Sequence, residues 1–193
     1  MLDNLEKYKV ILASGSPRRR ELMAGLGVNY EVRILPDVDE SYPDTLQGEE
    51  IPLYIAKEKA DAYIPMMQPD ELIITADTIV WLDGEVLGKP RDREDALQML
   101  RTMSGRTHEV FTGVCITTTD WQRSFTAQTE VRFATLSEDE IIYYVDNFKP
   151  MDKAGAYGVQ EWIGFIGVEN ISGSYHNIMG LPVQKLYREL LKV

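Results

Sequence analysis

Cysteine is nearly absent from this 193-residue sequence: Cys115 is the single one, and histidine occurs twice, at His108 and His176. One thiol cannot build a disulfide framework, and that scarcity favours an intracellular address. The two histidines are not spaced i, i+4 and no Cys/His cluster accompanies them, so a zinc centre is not expected. A Gly-x-Ser-x-Gly elbow is missing, which leaves a Ser-His-Asp hydrolase poorly supported. No apolar run approaches the ~20 residues needed to span a bilayer. The opening Met1-Leu-Asp-Asn-Leu-Glu-Lys-Tyr8 is too acidic and polar for a secretory signal. We expect a soluble, cytoplasmic protein with no membrane partner. Basic charge is also in deficit, with 20 Lys and Arg against 31 Asp and Glu and a net charge of -11. With no basic stripe to offset that field, a nucleic-acid polymer is not an expected partner; a small anion held by a few local cations is compatible with it.

What is present is enough for a real core: 44% of the residues are hydrophobic, and the length suits one α/β domain over 1–193, or two small lobes sharing a cleft. No repeat and no low-complexity linker divides it. Tyr8 to Ala13 reads as a buried strand, Arg18 to about Leu26 as a short helix stopped by Gly27, and Tyr30 to Leu35 as a second strand. An acidic loop, 37–44, precedes a helix opened by Pro52. Glu71 to Leu82 reads as a long strand ending in a turn at Asp83-Gly84. Asp92 caps a helix through Met103, burying Ala96, Leu97, Leu100 and Met103. Two strands follow, 110–119 and 124–135, joined near Asp120. Ser137-Glu-Asp-Glu140 is a capping box for a helix to about Asn147. A loop covers 148–160, a strand 162–171, and a helix follows Leu181-Pro182. Cys115, inside a strand-like run, reads as a small core residue.

Chemistry has four places to sit. In Leu12-Ala-Ser-Gly-Ser-Pro-Arg-Arg19 a buried strand turns directly into a helix start, aiming free backbone N–H groups and the positive dipole end at one spot. Gly15 and the hydroxyls of Ser14 and Ser16 leave room for an anion. Arg18, Arg19 and Arg20 in the first turn oppose the helix dipole unless a phosphate sits there; the alternative is a solvated basic turn with ordinary capping. Asp77 lies within Ile73-Ile-Thr-Ala-Asp-Thr-Ile-Val-Trp81, a run with no other charge. A carboxylate there needs a cation, a metal or strong hydrogen bonds. Either it serves metal binding or catalysis, or it pairs with a lysine of the neighbouring helix. Lys89, between Gly88 and Pro90, and Lys59, on the Ile55–Ala56 side of its helix, are candidate functional cations, with solvation or snorkelling as the alternative. Finally, Pro150-Met-Asp-Lys-Ala-Gly-Ala-Tyr-Gly-Val-Gln160 combines small residues, charge and, in Gln160, an amide able to read a base edge; a structural turn is the other reading.

Taken in order, Leu12-Ala-Ser-Gly-Ser-Pro-Arg-Arg19, Ala76-Asp-Thr78, Gly88-Lys-Pro90, His108-Glu-Val-Phe-Thr-Gly113, Asp152-Lys-Ala-Gly-Ala-Tyr-Gly-Val-Gln160 and Gly173-Ser-Tyr-His-Asn-Ile-Met-Gly-Leu-Pro182 resemble the motif set of the Maf family over nearly the whole chain. That resemblance implies an inosine-triphosphatase-like α/β fold, a mixed sheet flanked by helices with two lobes around a central cleft. It also implies a divalent metal (Mg²⁺ or Mn²⁺), a homodimer, and hydrolysis of a nucleoside triphosphate between the α- and β-phosphates. The uninterrupted Ser-Pro-Arg-Arg and the glutamine at 160 resemble the branch acting on dTTP and UTP. The 7-methyl-GTP branch has an extra residue before the arginines and an acid at the glutamine position.

Carried onto matching positions, Asp77 is the proton acceptor, and Arg18, Thr78 and Gln160 set substrate choice. Ser14, Arg19, Glu40, Lys59 and Lys89 match further polar positions. Asp77 and Glu40 would hold the metal, while Ser14, Ser16, Arg19, Lys59 and Lys89 would hold phosphate. Two departures stand out: Gly88 occupies a variable slot, and Glu161 stands where a glycine is common. The family's historical link to septum formation leaves a non-enzymatic nucleotide-binding regulator as a rival expectation, and a purine triphosphatase as another.

Overall fold

In the computed structural model, residues 2–36 and 38–193 are described; Met1, and Asp37 at the head of the anticipated acidic loop, lie outside the described residues. The elements follow the order β1 (Lys9–Leu12), α1 (Pro17–Gly25), β2 (Glu31–Val32), α2 (Glu50–Asp61), β3 (Glu71–Leu82), β4 (Glu85–Leu87), α3 (Arg93–Met103), β5 (Thr107–Thr117), β6 (Gln122–Phe133), α4 (Glu138–Phe148), α5 (Trp162–Gly167), β7 (Val168–Ser172), α6 (Tyr175–Ile178) and α7 (Val183–Leu190). The strands form one seven-stranded mixed sheet in the order β2-β1-β3-β5-β6-β7, with β4 paired to β3. β1 runs parallel to β2 and to β3, whereas β3–β4 and β6–β7 are antiparallel. β1 has a parallel neighbour on each side, and a strand of that kind, covered on both faces, reads as an uninterrupted apolar run rather than an alternating one.

Two compact units divide the chain. One comprises the chain up to Asp77 with Thr112–Ala127 and Gly180–Val193; the other comprises Thr78–Phe111 and Gln128–Met179. In the first, α2 lies against the sheet through small residues. Ala56, Ala60 and Cys115 form a fully buried cluster. A Cβ on Gly113 would fall 2.3 Å from the Pro52 carbonyl oxygen, so only glycine lets the helix approach β5 this closely. The buried Thr75 hydroxyl donates to the Ala56 carbonyl at 2.6 Å and pins α2 to β3.

In the second unit the core gathers Val80 and Leu82 of β3, Ala96, Leu97, Leu100 and Met103 of α3, Phe133 of β6, and Ile141, Tyr144 and Val145 of α4. Each large apolar side chain buried here contributes roughly 1.5–3 kcal/mol. The helix starts follow from local chemistry. Asp92 accepts from the Asp95 N–H, and Ser137 with Glu140 forms the reciprocal capping box. The β3–β4 hairpin closes on Asp83 and Gly84 with φ of 55° and 88°, as a two-residue type I′ loop requires.

Three expectations fail. The stretch 162–171 is not one strand: Trp162–Gly167 is α5, and only Val168–Ser172 is extended. The second strand shrinks to Glu31–Val32, both exposed. Helix α2 also begins two residues before Pro52.

Candidate active site

Asp77, Lys59, Glu40 and Arg19 are brought together in the first unit, by β3, α2, the loop before α2 and the start of α1. Thr75 and Asp77 lie on the same face of β3, because side chains alternate along a strand. With Thr75 bonded to Ala56, the residue one helical turn further on, Lys59, is carried to Asp77. Its Nζ donates to Asp77 Oδ1 at 2.8 Å and lies 2.7 Å from Glu40 Oε1. The ion pair suggested as an alternative role for Asp77 therefore exists. It is not sealed: the side chains of Lys59 and Asp77 retain 15% and 14% exposure, and that of Glu40 is open to solvent.

The Ser14–Arg19 turn is tied to the same strand. Arg19 donates from NH1 to the Ala76 carbonyl at 2.8 Å, next to Asp77, and from Nε to the Gly180 carbonyl at 2.7 Å. Desolvation pushes the Arg19 pKa below its ordinary value, and the charges of Asp77 and Glu40 act against that shift. Ser16 is the N-cap of α1, its side chain accepting from the Arg19 N–H, and Pro17 takes the first helical position. The Ser16 N–H donates in turn to the buried Ser14 Oγ at 3.2 Å. A Cβ on Gly15 would make an ordinary 3.5 Å contact with Ile34, so this glycine is not demanded by packing within the protein. Arg18 and Arg20 lie in the same first turn, and Arg20 Nε reaches the Ser14 carbonyl at 3.5 Å.

Thr78, Lys89 and Gln160 belong to the second unit. Lys89 is exposed, just after β4. The Gly88 carbonyl before it accepts from the Gly155 N–H at 3.0 Å, which fastens this loop to the 152–160 segment. Gly155 has φ of 66° and lies on Val80, two residues beyond Thr78. Gln160 carries the most informative atom: its Oε1 is buried and finds no hydrogen-bond partner among the described residues. An unpaired buried acceptor costs ~1–3 kcal/mol, so this oxygen is open to a donor.

Three residues support this segment: Lys153, which sequence reasoning counted among its charges, Glu161, which it noted as a departure from the family pattern, and Tyr144, which it did not place in the site. The ammonium of Lys153 is buried against Asp152 and Glu161, and Glu161 also holds the Tyr144 hydroxyl. The one signal for Glu161 was an acid where a glycine is common. His108 is buried beside Phe133 and Tyr157, its Nε2 2.7 Å from the Tyr157 hydroxyl; it packs and does not ligate.

The oxygen donors that could hold a metal are the Asp77 and Glu40 carboxylates. They converge on one ammonium, so a cation already occupies their shared field. No group of three or more His, Cys, Asp or Glu is placed to bind an ion among the described residues. Two carboxylates with phosphate and water completing the shell is the donor set a hard, octahedral divalent ion takes in nucleotide enzymes, so the residues fit such a group. No described helix is long and apolar enough to cross a membrane.

Residues 9–193 match the family described as "Maf-like protein". The chain is similar to a protein of Bacteroides thetaiotaomicron named dTTP/UTP pyrophosphatase, at 71% identity over 193 residues and 100% of both chains. It is also similar to one of the same name from Bacteroides fragilis, at 70% identity over 190 residues and 98% of both. Among solved structures it is similar to the Staphylococcus aureus Ham1 protein, with a TM-score of 0.53 at 17% identity, covering 94% of this chain and 99% of that one. At that identity the likeness shows the fold alone, and it bears out the α/β architecture expected from the motifs.

Proposed function

This chain belongs to the Maf family, and we propose that Asp77 is the proton acceptor with which it cuts dTTP or UTP between the α- and β-phosphates. The activity is that of a nucleoside triphosphate pyrophosphatase, releasing the monophosphate and pyrophosphate. The observation that carries the catalytic assignment is the Asp77–Lys59–Glu40 group: two carboxylates and one ammonium within 2.8 Å contacts, beside a helix start, and still reachable by solvent.

Anhydride cleavage needs positioning and charge neutralisation more than covalent chemistry. The Ser14–Ser16 turn with the N–H groups of α1, Arg19, Lys59 and Lys89 would bind the phosphate chain. Arg19, anchored to the carbonyl of Ala76, keeps the backbone next to Asp77 in place while adding charge. Asp77 spends Oδ1 on Lys59, and Oδ2 is the atom we assign to orienting or deprotonating the attacking water. Asp77 and Glu40 are the residues that would hold Mg²⁺ or Mn²⁺, which when bound neutralises phosphate charge and lowers the pKa of coordinated water.

Base choice is assigned to Arg18, Thr78 and Gln160. A uracil or thymine edge presents one N–H between two carbonyls. The unpartnered Gln160 Oε1 would accept from that N–H while its amide donates to the neighbouring oxygen. A homodimer is a proposal resting on the family resemblance, and a cytoplasmic address one resting on the scarcity of cysteine. The decisive experiment is a panel of triphosphates assayed with Mg²⁺ and again with EDTA. We expect pyrophosphate from dTTP and UTP in the first and nothing in the second. Orthophosphate as the product, or full activity in chelator, would overturn the reading.

A further inference from the structure

The turn carrying Gln160 is held from beneath by a polar chain that phosphate chemistry does not use. The Glu161 N–H donates to the Gly158 carbonyl at 3.0 Å, closing a four-residue turn with Val159 and Gln160 at its centre. The Tyr144 hydroxyl accepts from the Gly158 N–H at 3.0 Å and donates to Glu161 Oε2. Glu161 Oε1 lies 3.1 Å from Lys153 Nζ, which also reaches Asp152 Oδ1 at 2.7 Å. Glu161 therefore ties both ends of the turn, one through its own N–H and the other through Tyr144.

Glu161 occupies the N-cap of α5, but its side chain accepts from no N–H of that helix. Its carboxylate folds back beneath the turn, with Cδ 2.9 Å from where a Cβ on Gly158 would stand. Burial, and then the adjacent carboxylate, push the Tyr144 hydroxyl pKa upward, so the phenol remains the donor. From α5, Gly164 presses on the turn so closely that a Cβ would fall 1.9 Å from the Val159 carbonyl oxygen. The backbone at Gln160 is thus gripped by the carboxylate and phenol and by the helix.

We propose that Glu161, with Tyr144 and Lys153, is a positioning device for base recognition: it aims the unpartnered Gln160 Oε1 before nucleotide arrives, so that a pyrimidine N–H meets an acceptor already in place. Preorganisation of this kind raises affinity by removing the ordering cost from the binding step. The inference rests on Gln160 reading the base.

Steady-state kinetics of the full chain with Mg²⁺ and UTP, dTTP or GTP tests it, using Glu161→Gln, Tyr144→Phe, and each combined with Gln160→Ala. Both single variants should raise KM for UTP and dTTP about tenfold (~1.4 kcal/mol) and lower the UTP-over-GTP preference. Turnover should stay within about threefold. In the Gln160→Ala background neither should add a further loss. Tyr144→Phe keeps the ring and its packing, and thermal unfolding of every variant reports on the fold separately. A lowered Tm with unchanged KM and preference overturns the proposal, as does an equal loss with and without Gln160. If Gln160→Ala shifts base preference while the Glu161 and Tyr144 variants do not, the positioning role alone falls. If Gln160→Ala leaves preference unmoved, the base-reading role falls and the positioning role with it.

Discussion

Lys59 Nζ lies 2.8 Å from Asp77 Oδ1, and the same nitrogen lies 2.7 Å from Glu40 Oε1. Two carboxylates on one ammonium leave a local excess of negative charge. The nearby guanidinium of Arg19, which feels both carboxylates, offsets it. The group is held by a chain of specific contacts: Thr75 to Ala56 sets the helix, the helix sets Lys59, and Arg19 sets the strand at Ala76.

Asp77→Asn preserves volume and can still accept from Lys59, so the fold should persist with an unchanged circular dichroism spectrum. Turnover of UTP should fall by at least ~10²-fold, the scale of losing a general base. Turnover near wild type would remove Asp77 from the chemistry.

Gln160→Glu replaces an amide that donates and accepts with a carboxylate that only accepts. Activity toward UTP and dTTP should drop relative to GTP, whose amino group suits an acceptor. An unchanged order of kcat/KM among the three would refute edge reading at this residue.

Gly113→Ala places a methyl group 2.3 Å from one backbone atom of α2 and 2.4 Å from another. Backbone cannot swing aside as a side chain can, so α2 must move. A loss of about 3 kcal/mol in urea unfolding is expected. Turnover should fall with it, because Lys59 rides on that helix. A wild-type midpoint would contradict the packing described.

Desolvation lowers the buried His108 to about 4, against an ordinary value of 6.5. The unfolded chain therefore takes up the proton first as pH drops. The neutral imidazole's contribution is fully present above about pH 6.5 and is lost as pH falls towards 4, a change of roughly 3 kcal/mol. His108→Gln, which does not titrate, should flatten the pH dependence of unfolding free energy in that window. Parallel slopes for the two proteins would sink the assignment.

How much of this was legible in sequence depended on whether the signal was local. Asp92 and Ser137 announce helix starts because a cap bonds within its own turn, and both helices begin there. The Asp83-Gly84 hairpin was readable for the same reason. Trp162-Ile-Gly-Phe-Ile-Gly167 misleads: its aromatic and branched residues favour extension, but Gly164 packs on the Val159 carbonyl and the segment coils into α5. An uncharged strand around Asp77 implied a partner without naming it; Lys59 and Glu40 come from 18 and 37 residues upstream. Lys153 reads only as one of the charges of its segment: Asp152 adjoins it in sequence, but the ion pair with Glu161, eight residues on, is made by the fold.

Cys115 lies fully buried against Ala56 and Ala60, and desolvation raises its thiol to about 11. A thiol that stays protonated and enclosed offers nothing for an oxidant or an alkylating reagent to attack. The native chain is consequently a silent background for labelling: a cysteine introduced at an exposed position would be the sole reactive handle, ready to carry a fluorophore without any prior mutation.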